Sequence, residues 1–424
     1  MKLHENIARF FRSREAAGGS FIPSGIISKD ELLELEKSYG IYLDSHGINL
    51  AASISRELAT LALTEFEIET ENGRGCLPLC IGNLSGTLKK AVEYACAAGG
   101  IIFKPIYDGK NLGVETVLPF NFVPLGVDTS GKIDECAFIY RAERSGKVYT
   151  RIEEHRRICG GYVITNRAFE GANASSPSLL SYVKEWEGIS PRVEIKGLNA
   201  PLFVYFGMPF GNPAHPFSPF GVPIFRRAEK LIHEADKQFE RLTWEFEGGE
   251  LAVDASDEAF RIGKDGKPIL PLGKERLFRT NALDACCSSN ELFKTFAPAL
   301  RDKSLINGLN RIIMLVEDAC GIARGTFSDP SEIAKTATEV RSMRQRTYTT
   351  VNAIRSSLKD ALNELFDAIV QISALYSLGI GKPTLKITAG DGILEDSDSV
   401  RAAWREDVKC GIITPDEFKA HWYK

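Results

Sequence analysis

The residues best placed by type to do chemistry cluster in "RIEEHRRI", where His155 follows Glu153 and Glu154. A histidine beside two carboxylates is the kind of set that holds a divalent metal or works as an acid–base pair in a nuclease. The run around it alternates like a strand, and charges on the exposed face of a strand account for the pattern better than a metal site does. A second acidic group, Asp254, Asp257 and Glu258, falls among turn residues, and turn acids account for it. Cys76 and Cys80 in "CLPLC" form a close pair, yet no Cys/His partners stand nearby at zinc spacing, so ordinary thiols are expected. "GKDGKP" at Gly263 lacks the spacing of a phosphate-binding loop and reads as a hairpin. No Gly-x-Ser-x-Gly elbow is present. His233 lies near the polar edge of a helix, as a solvated or partner-facing residue. An enzyme is therefore the weaker reading, and no cofactor and no metal ion is expected.

A different stretch invites a physical question. "TFSDPSEIAKTATEVRSMRQRTYTTVNAIRSSLKDALNELFDAIVQI", Thr326 to Ile372, reads as one helix of more than forty residues, at ~1.5 Å per residue a rod of roughly 70 Å. Its first half is polar and basic, with Lys335, Arg341, Arg344, Arg346, Arg355 and Lys359 against Glu339 alone until Asp360. Such a face is either solvated and salt-bridged, or it meets a phosphate backbone without reading sequence. Its second half carries Ile354, Leu358, Ala361, Leu362, Leu365, Phe366, Ile369 and Ile372, a stripe that must be buried. Two starts compete: Asp329 followed by Pro330, or a capping box from Thr336 to Glu339. Thr347, Thr349 and Thr350 can bond back to the preceding turn and favour a bend.

The elements that would position these residues follow from period and punctuation. "SKDELLELEKSYG" opens a helix on Ser28, "INLAASISRELATLALTEFEIET" has helical spacing, and "SGTLKKAVEYACAAGG" ends at Gly99 and Gly100. From Ile101 the period becomes two, with Asp-Gly, Ser-Gly and Gly-Gly turns, which predicts a β-meander. A Pro-, Gly- and Phe-rich stretch up to Gly221 reads as ordered but irregular, because its aromatics need burial. A helix then starts at Pro223, with Ile224, Ala228, Leu231, Ile232, Ala235, Phe239 and Leu242 on one stripe. Its partner is the stripe Leu305, Leu309, Ile312, Ile313 and Val316, and between the two lies a compact insert of small strands and turns. "KPTLKITAGDG" is a returning strand, and the chain closes in a helical hairpin broken at Cys410-Gly411 and restarted at Thr414-Pro415.

Composition frames all this. With 424 residues, 44% hydrophobic and 25% charged, the chain has the balance of a folded soluble protein and the length for two or three domains, and its separate runs of helices and strands make the expected fold class α+β. A net charge of −4 argues against tight wrapping of nucleic acid. Nine scattered cysteines and a start without an apolar signal segment fit reduced thiols in a cytosolic setting, and no run approaches a membrane span.

The order of parts resembles the portal proteins of tailed double-stranded DNA phages and prophages, of the long-tailed type. The resemblance is carried by "NLAASISRELATLALTEFEIE", "RIEEHRRICGGYVITNRAFE", "FGVPIFRRAEKLIHEADKQFERLTWEFEGG" and "IAKTATEVRSMRQRTYTTV". It implies a portal fold with a β-rich wing (1–221), a stem of two helices (222–247 and 303–323) and a small mixed α/β clip (248–302). A tunnel loop (324–337), a tunnel helix (338–378), a returning wing strand (379–395) and a crown (396–424) complete it. That crown is short beside those of portals with large ones. The resemblance further implies a dodecameric ring at one capsid vertex of the virion, assembled in the host cytoplasm and conducting DNA during packaging and ejection. Its implied partners are terminase, the major capsid protein, a head-tail adaptor and double-stranded DNA, with no membrane. By position it implies Ser331, Glu332, Lys335 and Arg341 as DNA-facing, and Leu231, Phe239, Leu309 and Ile313 as subunit-packing residues. A metal-dependent DNA-processing enzyme and a smaller ring-forming head-tail adaptor are the alternatives.

Overall fold

A computed structural model describes residues 29–44, 46–171, 176–198, 200–256, 261, 269, 278–281, 293–329, 337–390, 404–410, 412–415 and 418. The chain divides into two compact units. One comprises Met1–Leu43, Ala51–Arg226 and Thr338–Lys424; the other comprises Asp44–Leu50 and Arg227–Ala337.

The first unit mixes helices with antiparallel sheet, an α+β arrangement. It starts with α1 (Lys29–Leu43) and α2 (Leu50–Ala62), followed by β1 (Phe66–Gly73) and α3 (Leu77–Ala98). The sequence reading ran one helix through Glu69 and Thr70, and the structure corrects it. The helix stops at Ala62, Glu65 takes a left-handed φ of 55°, and "FEIETENG" becomes a strand. Its alternation of Glu67, Glu69 and Glu71, all exposed, with the more covered Phe66, Ile68 and Thr70 is the period-two signal. Helix α3 begins earlier than expected, at Leu77, and ends as expected: Gly99 is a left-handed C-cap with φ 86°.

The meander is present and larger than a simple hairpin series. Strands β2 (Gly100–Tyr107) and β3 (Leu112–Val117) pair, and β4 (Phe122–Val127), β5 (Ile133–Arg144), β6 (Lys147–Ile158), β7 (Gly161–Glu170) and β8 (Ser176–Ser178) follow in spatial order, with β9 (Arg192–Lys196) also on β7. Between β5 and β6, Ser145 and Gly146 both have positive φ, the two-residue turn that matches strand twist. Strand β10 (Val204–Gly207) returns to pair with β2. The core of this unit is aromatic: Phe103, Phe122, Phe138, Phe203 and Phe206 are fully buried. The irregular stretch after β10 buries Phe220, as expected of its aromatics, but leaves Phe217 wholly exposed.

Two glycines make that stretch fit. A Cβ on Gly99 would sit 2.4 Å from the Gly221 carbonyl oxygen, and one on Gly221 would sit 2.3 Å from that of Gly99. Past this crossing the Ile224 amide donates to the Cys96 carbonyl at 3.0 Å. Residues 223–225 are thus committed to the end of α3, so the next helix cannot begin at Pro223. A 3-10 turn, Arg226–Ala228, intervenes, and α4 (Glu229–Gly248) starts six residues late.

The second unit is α4, a three-stranded sheet and α5 (Asp302–Cys320). In the sheet β11 (Ala252–Ser256) lies between β12 (Phe278–Asn281), parallel to it, and β13 (Phe293–Phe296), antiparallel. The chain then enters α6 (Ala337–Leu375) and β14 (Gly381–Ala389) of the first unit. Strand β14 pairs antiparallel with β1, Ile68 opposite Ile387, so the expected returning strand has a partner more than three hundred residues upstream. At the C-terminal end, residues 404–409 are helical.

Candidate functional site

Two helical features and a loop make up the candidate region. Helices α4 and α5 are amphipathic, and each buries a narrow part of its stripe: Ile232 and Ala235 on α4, Met314, Val316 and Cys320 on α5. The four residues expected to pack between subunits fall on the shoulders of that seam. Leu231, Leu309 and Ile313 are half-buried, and Phe239 is 39% exposed. Trp244, Phe246, Ile306 and Leu315 are exposed beside them. The helices are also joined by polar contacts. Gln238 Nε2 donates to the Leu305 carbonyl, and Gly308 lies directly under that side chain.

The end of the hairpin is clamped by one ion pair. The Glu245 carboxylate accepts from the Arg301 backbone amide at 2.9 Å, from Nε at 3.1 Å and from Nη2 at 2.6 Å. Those donors pull the Glu245 pKa down to about 2.

Beyond α5 the chain doubles back on the helix. Gly321 ends it in the left-handed region and Ile322 is fully buried. Glu317, also fully buried, then gathers the loop: it accepts from the amides of Gly325 (3.2 Å), Phe327 (2.6 Å) and Ser328 (3.0 Å) and from the Ser328 hydroxyl (2.7 Å). Two turns back along α5, Asn310 Oδ1 accepts from the Asp329 amide at 2.7 Å. Asp329 is therefore held against α5; residues 330–336, where both expected helix starts would make their first turn or cap, lie outside the described residues, and the described long helix is Ala337–Leu375. Glu317 and Asn310 were not singled out in the sequence. The one signal for them is their spacing of seven, which puts a carboxylate and an amide on the same helix face ahead of a Gly-Thr-Phe-Ser-Asp turn.

Helix α6 runs 39 residues, about 58 Å at 1.5 Å per residue. Its second half is buried as expected, through Val351, Ile354, Leu358, Leu362, Leu365, Ile369 and Ile372. Thr349 back-bonds to the Gln345 carbonyl. Among the cations weighed for phosphate contact whose side chains are described, Arg355 is the exception. It is 3% exposed, and it donates to the carbonyls of Ala62 (2.8 Å), Leu61 (3.0 Å), Thr64 (2.6 Å) and Gly390 (2.9 Å). It caps the C-terminus of α2, where the helix dipole is negative and carbonyls lack partners. Arg346 is exposed and Lys359 half-buried. Ser331, Glu332 and Lys335 lie outside the described residues, as does the side chain of Arg341, whose backbone is helical.

The group around His155 is buried rather than displayed on an exposed face. Arg151, Glu153 and His155 alternate along β6 and face Lys104 of β2. Glu153 accepts from Lys104 Nζ, from His155 Nε2 (2.7 Å) and from Arg151 Nη1 (2.9 Å). The Tyr140 hydroxyl accepts from Lys104 and donates to Glu115, and Arg151 stacks 4.2 Å over the Tyr140 ring. Burial pushes the Glu153 pKa up, but Lys104, His155 and Arg151 outweigh it and hold the carboxyl well below its usual range. Burial lowers the pKa of His155, against the pull of Glu153. Glu154 on the opposite face pairs with Arg156 and Arg167. These carboxylates are engaged by the protein's own cations. Among the described residues no three His, Cys, Asp or Glu are grouped to hold a metal ion. Cys76 and Cys80 are free thiols, and burial raises the pKa of Cys80 to about 11. Asp257, Glu258 and the side chain of Asp254 lie outside the described residues.

Comparison with known proteins finds no family model that matches the chain and no curated protein that matches it. Among the described residues no helix is long and apolar enough to cross a membrane.

Proposed function

We propose that this chain is a subunit of a portal-type ring, a conduit for double-stranded DNA at one capsid vertex, with no catalytic chemistry of its own. The observation that carries the reading is the two-helix hairpin with its small inserted sheet. Leu231, Phe239, Leu309 and Ile313, together with exposed Phe246 and Ile306, form apolar shoulders that a single chain leaves partly open. A repeated neighbour in a closed ring buries such shoulders on every subunit, through contacts between two different faces.

Two further features support it. The order hairpin, loop, long helix supplies a 39-residue helix whose head is polar in sequence and whose other half is buried. The charge balance also suits a conduit. At net −4, and with Arg355 committed to carbonyls, the chain carries no net positive charge to hold a moving polyanion, whose affinity for protein rises with each phosphate neutralised. In this reading residues 248–302 meet terminase, the ring seats in the major capsid protein, and a head-tail adaptor docks to the assembled ring.

The test is native mass spectrometry with negative-stain imaging of the full chain over a range of concentrations. A closed ring with a central hole, twelve subunits in the fullest form, is expected. A compact monomer at every concentration counts against the proposal. Magnesium-dependent cleavage of double-stranded DNA by the purified protein would replace it with the enzyme alternative.

A further inference from the structure

We propose that Phe217 is a docking knob that seats on a second copy of this chain, in an apolar cradle formed by Leu79, Tyr107, Leu375 and Tyr376. Phe217 is 100% exposed. A phenylalanine wholly in water forgoes the stabilisation of burial, and here the loop's own bonds hold it out. His215, Pro216, Phe217 and Ser218 form a β-turn closed by the Ser218 amide on the His215 carbonyl at 3.0 Å, with proline at the position that presets its φ. Asn212 Oδ1 accepts from the Ala214 and His215 amides, both at 3.1 Å, and Ser218 Oγ accepts from the Phe220 amide at 3.1 Å. Both ends of the loop return to the end of α3: the Met208 amide donates to the Gly99 carbonyl, and Gly221 crosses the same glycine. A ring presented on a fixed turn has little freedom left to lose on docking.

The cradle lies at the other end of the same unit. The Arg74 amide donates to the Ile380 carbonyl at 3.0 Å, which brings the start of α3 to the end of α6, and the Tyr107 and Tyr376 rings meet at 4.9 Å, which adds the end of β2. Where these three ends converge, Leu79, Leu375 and Tyr376 are exposed and Tyr107 is half-buried. Further back on α6 the Ser357 hydroxyl donates to the Gly207 carbonyl at 2.9 Å, and Gly207 pairs with Gly100 at the start of β2. Cradle and loop root are thus separated by the length of β2, about 23 Å at ~3.3 Å per residue, and by about 28 Å along α6 at ~1.5 Å per residue. The knob does not reach its own cradle, so the occupant is a second copy. Charge agrees. Helix α1, beside the knob, carries Asp30, Glu31, Glu34 and Glu36 against Lys29 and Lys37, and Arg226 pairs with Glu34. Around the cradle Arg74, Lys110 and Lys382 are exposed against Asp108. Knob and cradle are different surfaces, so each copy offers one and fills one, as a head-to-tail contact requires. The contact rests on the ring reading above, yet uses no residue of α4 or α5.

Sedimentation velocity of the full chain over a concentration series tests it, with wild type, Phe217→Ala and Leu79→Asp compared. Leu79 stands in the first turn of α3, where an aspartate suits the positive helix end. Each variant is expected to keep the wild-type thermal melt and to raise the concentration of half-association about tenfold or more, as loss of a central apolar anchor does. Wild-type association that neither variant weakens overturns the knob and leaves the ring reading standing; a wild type that is monomeric throughout overturns both. A second readout needs no change in affinity. Phe217→p-benzoylphenylalanine, irradiated in the full-length protein, should cross-link one copy to another at peptides containing Leu79, Tyr107 or Tyr376, and cross-links between copies that map elsewhere overturn the cradle.

Discussion

Arg355 offers the sharpest test of how this fold is held, because its sequence context points to solvent or phosphate and its surroundings point inward. The guanidinium donates four hydrogen bonds to carbonyls and is 3% exposed. Arg355→Met keeps much of the chain length and removes every donor. If two of the four carbonyls cannot find water, at ~1–3 kcal/mol for each buried unpaired group, the loss is about 2–6 kcal/mol. Part of it is offset, because the methionine variant no longer buries a charge. A net destabilisation of about 3 kcal/mol is expected, or a fall in Tm of roughly 6 °C or more at ~2 °C per kcal/mol for a unit of this size. Arg355→Lys keeps the charge at the negative end of α2 but not the fork, and should fall between the two. The internal control is Arg346→Met, the same substitution on the same helix at an exposed position, expected within about 0.5 kcal/mol of wild type. Scanning calorimetry of the full chain measures all three. Arg355→Met indistinguishable from Arg346→Met would refute the capping argument.

Other outcomes follow from single contacts. Glu153→Gln leaves Lys104 and Arg151 buried without their shared carboxylate, and a loss of about 3–5 kcal/mol in chemical denaturation is expected. Gly99→Ala should be severely destabilising, since it combines a φ of 86° with a Cβ 2.4 Å from a carbonyl oxygen. Gly86→Ala in the exposed interior of α3, where nothing lies within 4 Å of the new Cβ, should stabilise by about 0.5–1 kcal/mol, and thermal melts of the two variants compare them directly. Glu245 has a folded pKa of about 2, below that of an unfolded glutamate, so its contribution is complete above the unfolded value and is lost as pH falls through about 4 toward 2. The gap between the urea midpoints of wild type and Glu245→Gln should accordingly be open at pH 6 and close on acidification; a constant gap would contradict the clamp.

Much of the secondary structure was legible because its signals are local. The apolar stripes of α4, α5 and the second half of α6 repeat at helical spacing, and Asp-Gly, Ser-Gly and Gly-Gly punctuate the meander. The errors came where a remote segment decides. "FEIET" looked like the tail of a helix because its strand partner, β14, is supplied from the other end of the chain. Pro223 looked like a helix start because nothing nearby in sequence announces that Ile224 is tied to Cys96. The candidate site was legible only as an order of parts. Its apolar helix positions could be named, while the residue that holds the loop, Glu317, could not.

The sequence by itself determined which segments are periodic, where they turn and which faces are apolar, since each depends on side chains a few residues apart. Only the tertiary structure decided the fate of the charges. Arg355 and Arg346 belong to one basic run, yet one is a buried cap and the other is exposed; Glu153 and His155 read as surface alternation, yet lie under Lys104 and Tyr140. Whether a charge is buried depends on what covers it, and the covering atoms come from other strands and loops, from Tyr140 and Lys104 for Glu153 to Ala62 and Thr64 for Arg355. Such partners leave no trace in the local pattern, because desolvation is a property of the assembled neighbourhood and not of the segment that carries the charge.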